Sequence, residues 1–159
     1  MRKKKIKILH VAQAAGGVDR YIRMLLKYLD IALKNRILYE TIKKYLQKFP
    51  ESMHIRAAFI IASEAIYSPS AEYKRVPDKI INKAKQWSEQ YPKKIEFQEA
   101  YFGLLFSRLK YAQAQDMRNE QRRVYREMKT VAERANYSEY NESNQLMESV
   151  DILHRVFGY

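Results

Sequence analysis

Two stretches of this chain repeat one pattern at an interval of 42 residues. Residues 37–50 and 79–92 place large apolar side chains at spacings of four and three, and each stretch ends in an aromatic residue followed by proline. A third copy, shifted by a further 44 residues, ends at Asn136. Such spacings put the apolar residues on one face of a helix, and a fixed interval indicates an array of repeated helical units. The three sets of core positions are Leu38, Ile42 and Tyr45; Ile80, Ala84 and Trp87; and Val124, Met128 and Val131.

Further helices are predicted between the repeated segments. Apolar stripes indicate helices over about residues 52–67, 94–111 and 138–156, and Pro77 followed by Asp78 suits a helix start. The last of these helices is more polar, which is typical of a helix that caps a stacked array. Four glycines and four prolines in 159 residues also favour helix. The predicted fold is all-α, with about three antiparallel helix pairs stacked side by side.

The first 35 residues have a different character. Residues 6–11 are rich in β-branched side chains and predict a short strand, Gly16 and Gly17 break the chain, and Asp19 suits the start of a helix. This segment holds nine Lys and Arg residues against two acids, although the whole chain has a net charge of +12. We therefore predict a basic N-terminal segment over residues 1–35 and a helical domain over 36–159. Because a lone strand has no partner for its backbone groups, the strand is expected to pair with another chain; otherwise the segment is expected to be helical, an extended arm or disordered.

The sequence offers little catalytic chemistry. The absence of cysteine excludes disulfides and thiolate zinc sites, and His10, His54 and His154 do not have the spacing of metal ligands. Phosphate-binding glycine motifs are also missing, so neither a cofactor nor a metal nor a catalytic residue is predicted. The apolar runs are too short to span a membrane, and Lys7 and His10 interrupt a possible secretory signal. A cytoplasmic location is therefore expected.

Residues 36–157 resemble tetratricopeptide-like repeats. The resemblance rests on the paired helices, on a core residue at every third or fourth position of the second helix, and on the closing prolines Pro50 and Pro92. It implies a short right-handed superhelix with a concave face that binds extended segments of partner proteins.

A second resemblance covers residues 5–30. The run from Lys7 to Leu29, with its strand, its Gly16-Gly17 loop and its helix, looks like the opening of bacterial capsular or exopolysaccharide glycosyltransferases of the GT-B type, family 4. The resemblance implies that Gly16 and Gly17 approach a sugar-nucleotide diphosphate or the acceptor. The second Rossmann-like domain of that family does not fit in the remaining 130 residues. The resemblance therefore implies a fragment or an accessory subunit, or the remnant of a gene fusion, and not a complete enzyme.

Aromatic residues are abundant, with 13 Tyr, six Phe and one Trp. In a stacked helical array, large rings fill the seams between helices and leave their hydroxyl groups at the rim. We predict this packing role for Tyr39, Tyr45, Trp87, Tyr91, Tyr101 and Tyr125.

Ten residues are candidates for partner binding. Tyrosines near the predicted helix breaks, next to basic residues, suit a groove for a peptide or for single-stranded nucleic acid; these are Tyr67, Tyr73, Lys74, Arg75, Arg108, Lys110 and Tyr111. Arg122, Arg123 and Arg126 give one further helix a basic side. Pairing of these arginines with Glu120 and Glu127 on the same helix is the alternative interpretation.

The leading functional hypothesis is a non-catalytic protein-interaction or scaffold module. The net charge favours a partner with acidic segments, because opposite charges attract over long range and raise the association rate. Two alternatives stay open: an accessory subunit of a polysaccharide-synthesising glycosyltransferase, and a basic helical protein that binds nucleic acid.

Overall fold

A computed structural model describes residues 31–67, 74–136 and 145–159. These residues form α1 (Ile31–Lys48), α2 (Met53–Tyr67), α3 (Asp78–Gln90), α4 (Ile95–Ala114), α5 (Arg118–Ala135) and α6 (Gln145–Phe157), with no strand in the three ranges. The all-helical prediction is confirmed for this part of the chain. The predicted strand, the Gly16-Gly17 loop and the helix start at Asp19 lie outside the described residues, so the glycosyltransferase-like features stay predictions.

The helices predicted near residues 52–67 and 94–111 are confirmed, and residues 145–156 of the last predicted helix are helical, while its residues 138–144 lie outside the described ones. α2 and α4 begin within one residue of their predicted starts, and α4 continues to Ala114 instead of ending near residue 111. α1 includes residues 31–36, so the predicted boundary between residues 35 and 36 falls inside a helix. Asn35 Nδ2 also donates a hydrogen bond to the carbonyl oxygen of Ala65 in α2, at 3.2 Å. Residue 35 is therefore part of the helical packing.

The helices pack mainly on their neighbours in the chain. α1 packs on α2, α3 on α4, α4 on α5 and α5 on α6, and α2 also packs along α4. α4 is the central element because it contacts α2, α3 and α5. Its Phe97, Leu104 and Leu109 have no exposed surface. The burial of these side chains provides much of the apolar stabilisation of the fold.

Aromatic rings occupy the seams between the helices, as predicted, but the Tyr45 hydroxyl does not lie at the rim: it is buried and has no hydrogen-bond partner among the described residues. Trp87, Tyr101 and Tyr125 are buried, and Tyr39, Tyr45 and Tyr91 are half-buried. The ring of Phe59 in α2 lies 5.6 Å from Tyr39 in α1, and 6.1 Å from Trp87 in α3 in an edge-on geometry. Pairs of this kind stabilise a core by more than their buried area alone. This line of rings holds the first three helices together.

A side chain of α4, that of Gln98, donates hydrogen bonds to carbonyl groups at the C-terminal end of α3. The last carbonyl groups of a helix have no partner within the helix. Gln98 Nε2 donates to the carbonyl oxygens of Ser88 (3.0 Å) and Tyr91 (3.2 Å), and Gln98 Oε1 accepts from Ser88 Oγ at 2.7 Å. Gln98 and Ser88 are fully buried. The amide therefore joins the end of α3, just before Pro92, to the centre of the fold.

Replacement of Gln98 by alanine should lower the free energy of unfolding by about 2 kcal/mol, because it leaves buried polar groups without partners. The Gln86→Ala control changes an exposed residue of α3 and should shift the stability by less than about 0.5 kcal/mol. Urea titrations followed by circular dichroism measure both changes. Equal effects of the two substitutions would contradict the role of the Gln98 amide.

Candidate interaction surface

The predicted partner-binding residues are spread over four parts of the fold. Tyr67 is half-buried at the end of α2, while Lys74 and Arg75 are exposed just before α3. Tyr73 lies outside the described residues. The remaining candidates lie on two helices, with Arg108, Lys110 and Tyr111 on α4 and with Arg122, Arg123 and Arg126 on α5.

Arg108 does not belong to a solvent-facing groove, so the prediction is wrong for this residue. It is only 3% exposed. Its Nε donates to Glu120 at 2.7 Å, and one of its terminal nitrogens donates to Asp78. The guanidinium therefore connects α4 to the first turns of α3 and α5, where it is not available to a partner.

Arg108 is the centre of a chain of ion pairs with alternating charge. Arg75 pairs with Asp78 at 3.0 Å, Asp78 with Arg108, Arg108 with Glu120, and Glu120 with Arg123 at 2.7 Å. We call these five residues the ion-pair chain. Two carboxylates, those of Asp78 and Glu120, thus pair with three of the candidates, Arg75, Arg108 and Arg123. Their shared partners indicate a structural role.

The ion-pair chain shifts the pKa of both carboxyl groups. The hydrogen bond from Arg108 holds the pKa of Asp78 below its usual value. Burial raises the pKa of Glu120, but hydrogen bonds from Arg123 and Arg108 outweigh burial, and the pKa is lowered. Both groups therefore stay ionised in the folded chain at neutral pH.

The outward side of α5 carries a row of cations. Arg122, Arg126 and Lys129 are exposed and follow one another at spacings of four and three, so they share one helical face. We call them the basic row. None of the three forms an ion pair with a described residue; Arg126 Nε donates instead to the carbonyl oxygen of Arg122. Lys129 was not among the candidates, although its spacing from Arg126 is the signal that identifies it.

The acids of α5 that were expected to neutralise these arginines mostly point elsewhere. Glu120 pairs with Arg123, as the alternative interpretation required, but also with the buried Arg108. Glu127 accepts hydrogen bonds from Lys85 (3.2 Å) and from the Tyr101 hydroxyl (3.1 Å). Both carboxylates are used inward, so neither pairs with Arg122, Arg126 or Lys129 of the basic row.

Lys110 of α4 lies near two aromatic rings, one on its own helix and one on α6. Its Nζ lies 5.2 Å from the ring centroid of Phe106 and 5.8 Å from that of Phe157. A cation over an aromatic ring is attracted by the electrons of the ring face. Its neighbour Tyr111 is half-buried. Of the ten candidates, Arg122 and Arg126 are therefore the arginines with the fewest contacts inside the fold.

The described part of the chain shows neither a metal site nor a membrane-spanning helix. No group of three or more His, Asp or Glu side chains in residues 31–67, 74–136 and 145–159 is arranged to hold a metal ion. Within the same ranges, none of the helices is both long enough and apolar enough to cross a membrane.

Comparison with known proteins does not indicate a function for this chain. No protein-family model, no curated protein sequence and no solved structure matches this chain. The functional interpretation therefore depends on the surface chemistry described above.

Proposed function

We propose that this chain is a non-catalytic protein-interaction module, and that its basic row binds an acidic segment of a partner protein. The observation that carries the proposal is the inward pairing of Glu120 and Glu127, which leaves Arg122, Arg126 and Lys129 exposed without carboxylate partners among the described residues. The proposal includes a tetratricopeptide-like stacking of the helix pairs. The packing of α2 along α4, together with the packing of successive helices, supports such an arrangement.

The spacing of the basic row suits an extended acidic peptide. Residues four apart on a helix are separated by about 6 Å along its axis, since each residue rises about 1.5 Å. Alternate residues of an extended peptide are about 6.6 Å apart and point to the same side. Two acidic residues separated by one other residue therefore match Arg122 and Arg126. Each guanidinium is able to bind a carboxylate through two parallel hydrogen bonds.

The aromatic residues near α5 favour a peptide over single-stranded nucleic acid. Proteins that bind single strands without sequence preference stack bases on accessible aromatic rings. The aromatic residue of α5, Tyr125, is buried, and its ring centroid lies 5.3 Å from that of Tyr159. The ring of Tyr125 is therefore not accessible for base stacking.

A charge-reversal experiment tests the proposal. The triple variant Arg122→Glu, Arg126→Glu, Lys129→Glu removes the basic row. The matched control Lys44→Glu, Lys79→Glu, Lys93→Glu makes the same change in net charge at exposed lysines of other segments. Isothermal titration calorimetry at low salt measures binding of a peptide in which Glu alternates with Ser. We expect the affinity to fall at least about tenfold in the triple variant and less than about threefold in the control.

Two outcomes would contradict the proposal. An equal loss in both variants would mean that net charge alone attracts the peptide. Tighter binding of a single-stranded RNA oligonucleotide of the same charge, again dependent on the basic row, would favour nucleic-acid binding instead.

A further inference from the structure

The last described helix, α6, buries one side in the fold and presents the opposite side to solvent. Its main packing partner among the described helices is α5. Val150 and Leu153 of α6 are buried and belong to the core. Ile152 and Val156, which lie four residues apart and therefore on one face, are 55% and 66% exposed. Two large apolar side chains thus lie next to each other in water.

Two residues of opposite charge flank this apolar pair. Glu148 lies one turn before Ile152, and Arg155 lies seven residues after Glu148, so the two charges lie on the same edge of the helix. Both are exposed, and neither forms an ion pair with a residue in the three described ranges. Arg155 Nε donates to the carbonyl oxygen of Asp151 at 3.3 Å, a bond that does not use the two terminal nitrogens of the guanidinium. We call Glu148, Ile152, Arg155 and Val156 the α6 outer face.

The net charge of α6 favours the approach of a second copy at this face. α6 carries two acids, Glu148 and Asp151, against one arginine, and it is the only described helix in which acids outnumber Lys and Arg. The whole chain has a net charge of +12. Two copies of a strongly basic chain repel each other, and this repulsion is weakest where the approaching surfaces are not basic.

The order of the charges along α6 is complementary to itself in an antiparallel arrangement. When two copies of α6 lie side by side in opposite directions and Ile152 faces its own copy, Glu148 lies beside Arg155 and Val156 of the second copy. A twofold axis relates the copies, so the same ion pair forms once on each side of the central contact. A parallel arrangement would place Glu148 against Glu148 and Arg155 against Arg155. The charges therefore select the antiparallel arrangement.

We propose that the α6 outer face is a self-association surface, at which two copies of this chain form an antiparallel dimer. Ile152 and Val156 of both copies are removed from water, and Glu148 of each copy pairs with Arg155 of the other. A helix of this length extends about 20 Å, so the interface is smaller than the roughly 800 Å² per partner that stable complexes bury. The dimer is therefore weak. The basic row lies on α5, outside this interface, so the inference does not depend on the proposed function.

Sedimentation velocity of the full chain tests the dimer. We expect a monomer at about 5 μM and a growing fraction of dimer up to about 500 μM. Ile152→Lys should raise the dimer dissociation constant at least about tenfold, because it places two ammonium groups at the centre of the interface. Ile61→Lys is the matched control, since Ile61 is 48% exposed on α2, and it should change the constant less than about twofold. A chain that stays monomeric over the whole range, or equal effects of the two substitutions, would overturn the proposal.

A mixing experiment tests the antiparallel ion pairs. Glu148→Arg leaves two cations on the α6 outer face and Arg155→Glu leaves two acids, so the dissociation constant of each variant alone should rise at least about fivefold. An equimolar mixture of the two variants should associate within about twofold of the unchanged chain, because every charge then meets an opposite one across the interface. Glu133→Arg and Lys93→Glu, at exposed positions outside α6, are the matched controls and should associate like the unchanged chain, alone and mixed.

Two results of these experiments would contradict the antiparallel dimer. One is failure of the mixture to associate although circular dichroism shows both variants to be folded. The other is loss of association in the variant Arg122→Glu, Arg126→Glu, Lys129→Glu, which would mean that α6 of one copy binds the basic row of another. We expect this triple variant to keep the dimer.

Discussion

Replacement of Leu104 by alanine is expected to lower the free energy of unfolding by about 3 to 4 kcal/mol. Leu104 is fully buried in α4, the helix that contacts α2, α3 and α5. Because three helices pack around α4, they have little freedom to move into the cavity that the substitution leaves. The loss of stability should therefore lie in the upper part of the range that is usual for a buried Leu→Ala substitution. Thermal and urea denaturation followed by circular dichroism measure the change.

Ile152→Ala provides the matched control for this substitution. Ile152 is 55% exposed on α6, and the loss of its side chain should cost less than about 1 kcal/mol. An effect of Leu104→Ala no larger than that of Ile152→Ala would mean that α4 is not the centre of the folded core.

Replacement of Arg108 by alanine is the second change with a large expected effect. It should lower the free energy of unfolding by about 2 kcal/mol at neutral pH. The substitution leaves Glu120 with one cation instead of two, and it removes the link between the starts of α3 and α5. The value lies below that of a fully buried pair because water reaches the Asp78 side chain, which is 57% exposed. Arg108→Lys should recover only part of the loss, since an ammonium group does not present the planar fork that reaches two carboxylates.

The same variant should change the pH dependence of stability. The pKa values of Asp78 and Glu120 are lowered in the folded chain, so the two groups stabilise the fold above their ordinary carboxyl pKa values. That contribution is lost as the pH falls from the unfolded-state pKa values, near 4, towards the lower folded-state values. Arg108→Ala should therefore flatten the acid limb of a plot of stability against pH. Parallel acid limbs for the two proteins would contradict the assigned ion pairs, whereas Arg122→Ala is expected to leave the curve unchanged.

The helices could be predicted because their signal is local. Apolar residues at spacings of three and four located α2 and α4 within a few residues, and Pro77 followed by Asp78 gave the start of α3. The predicted division of the chain followed a change in charge near residue 35, and this position falls within α1. Charge on a solvent-facing side does not determine the bounds of a helix.

The role of Arg108 required the tertiary structure. Its carboxylate partners lie 30 and 12 residues away in the sequence, on helices whose relative placement the sequence pattern does not give. One local signal was present, since Arg108 lies three and four residues after the buried Leu105 and Leu104 and directly before Leu109. An arginine on the apolar side of a helix is a candidate for internal pairing, and this position favoured burial over a groove.

The contact between Gly103 of α4 and Glu64 of α2 was equally difficult to predict. Gly103 carries no side chain that would mark it in the sequence, and the Glu64 carboxyl that lies over it belongs to another helix. The outward position of Arg122 and Arg126, in contrast, followed from their spacing alone. Surface rows within one helix are thus predictable, whereas contacts between helices depend on packing.

The single tryptophan makes one part of this fold visible to spectroscopy. Trp87 is 7% exposed, lies edge-on to Phe59 and has the Arg56 guanidinium 5.6 Å from its ring centroid. Its fluorescence emission should shift to longer wavelength when water reaches the seam among the first three helices. Separation of α6 alone, in contrast, should not directly change the emission of the indole. Circular dichroism averages over every helix. A fluorescence transition that does not coincide with the dichroic one would reveal that the two ends of the array unfold separately.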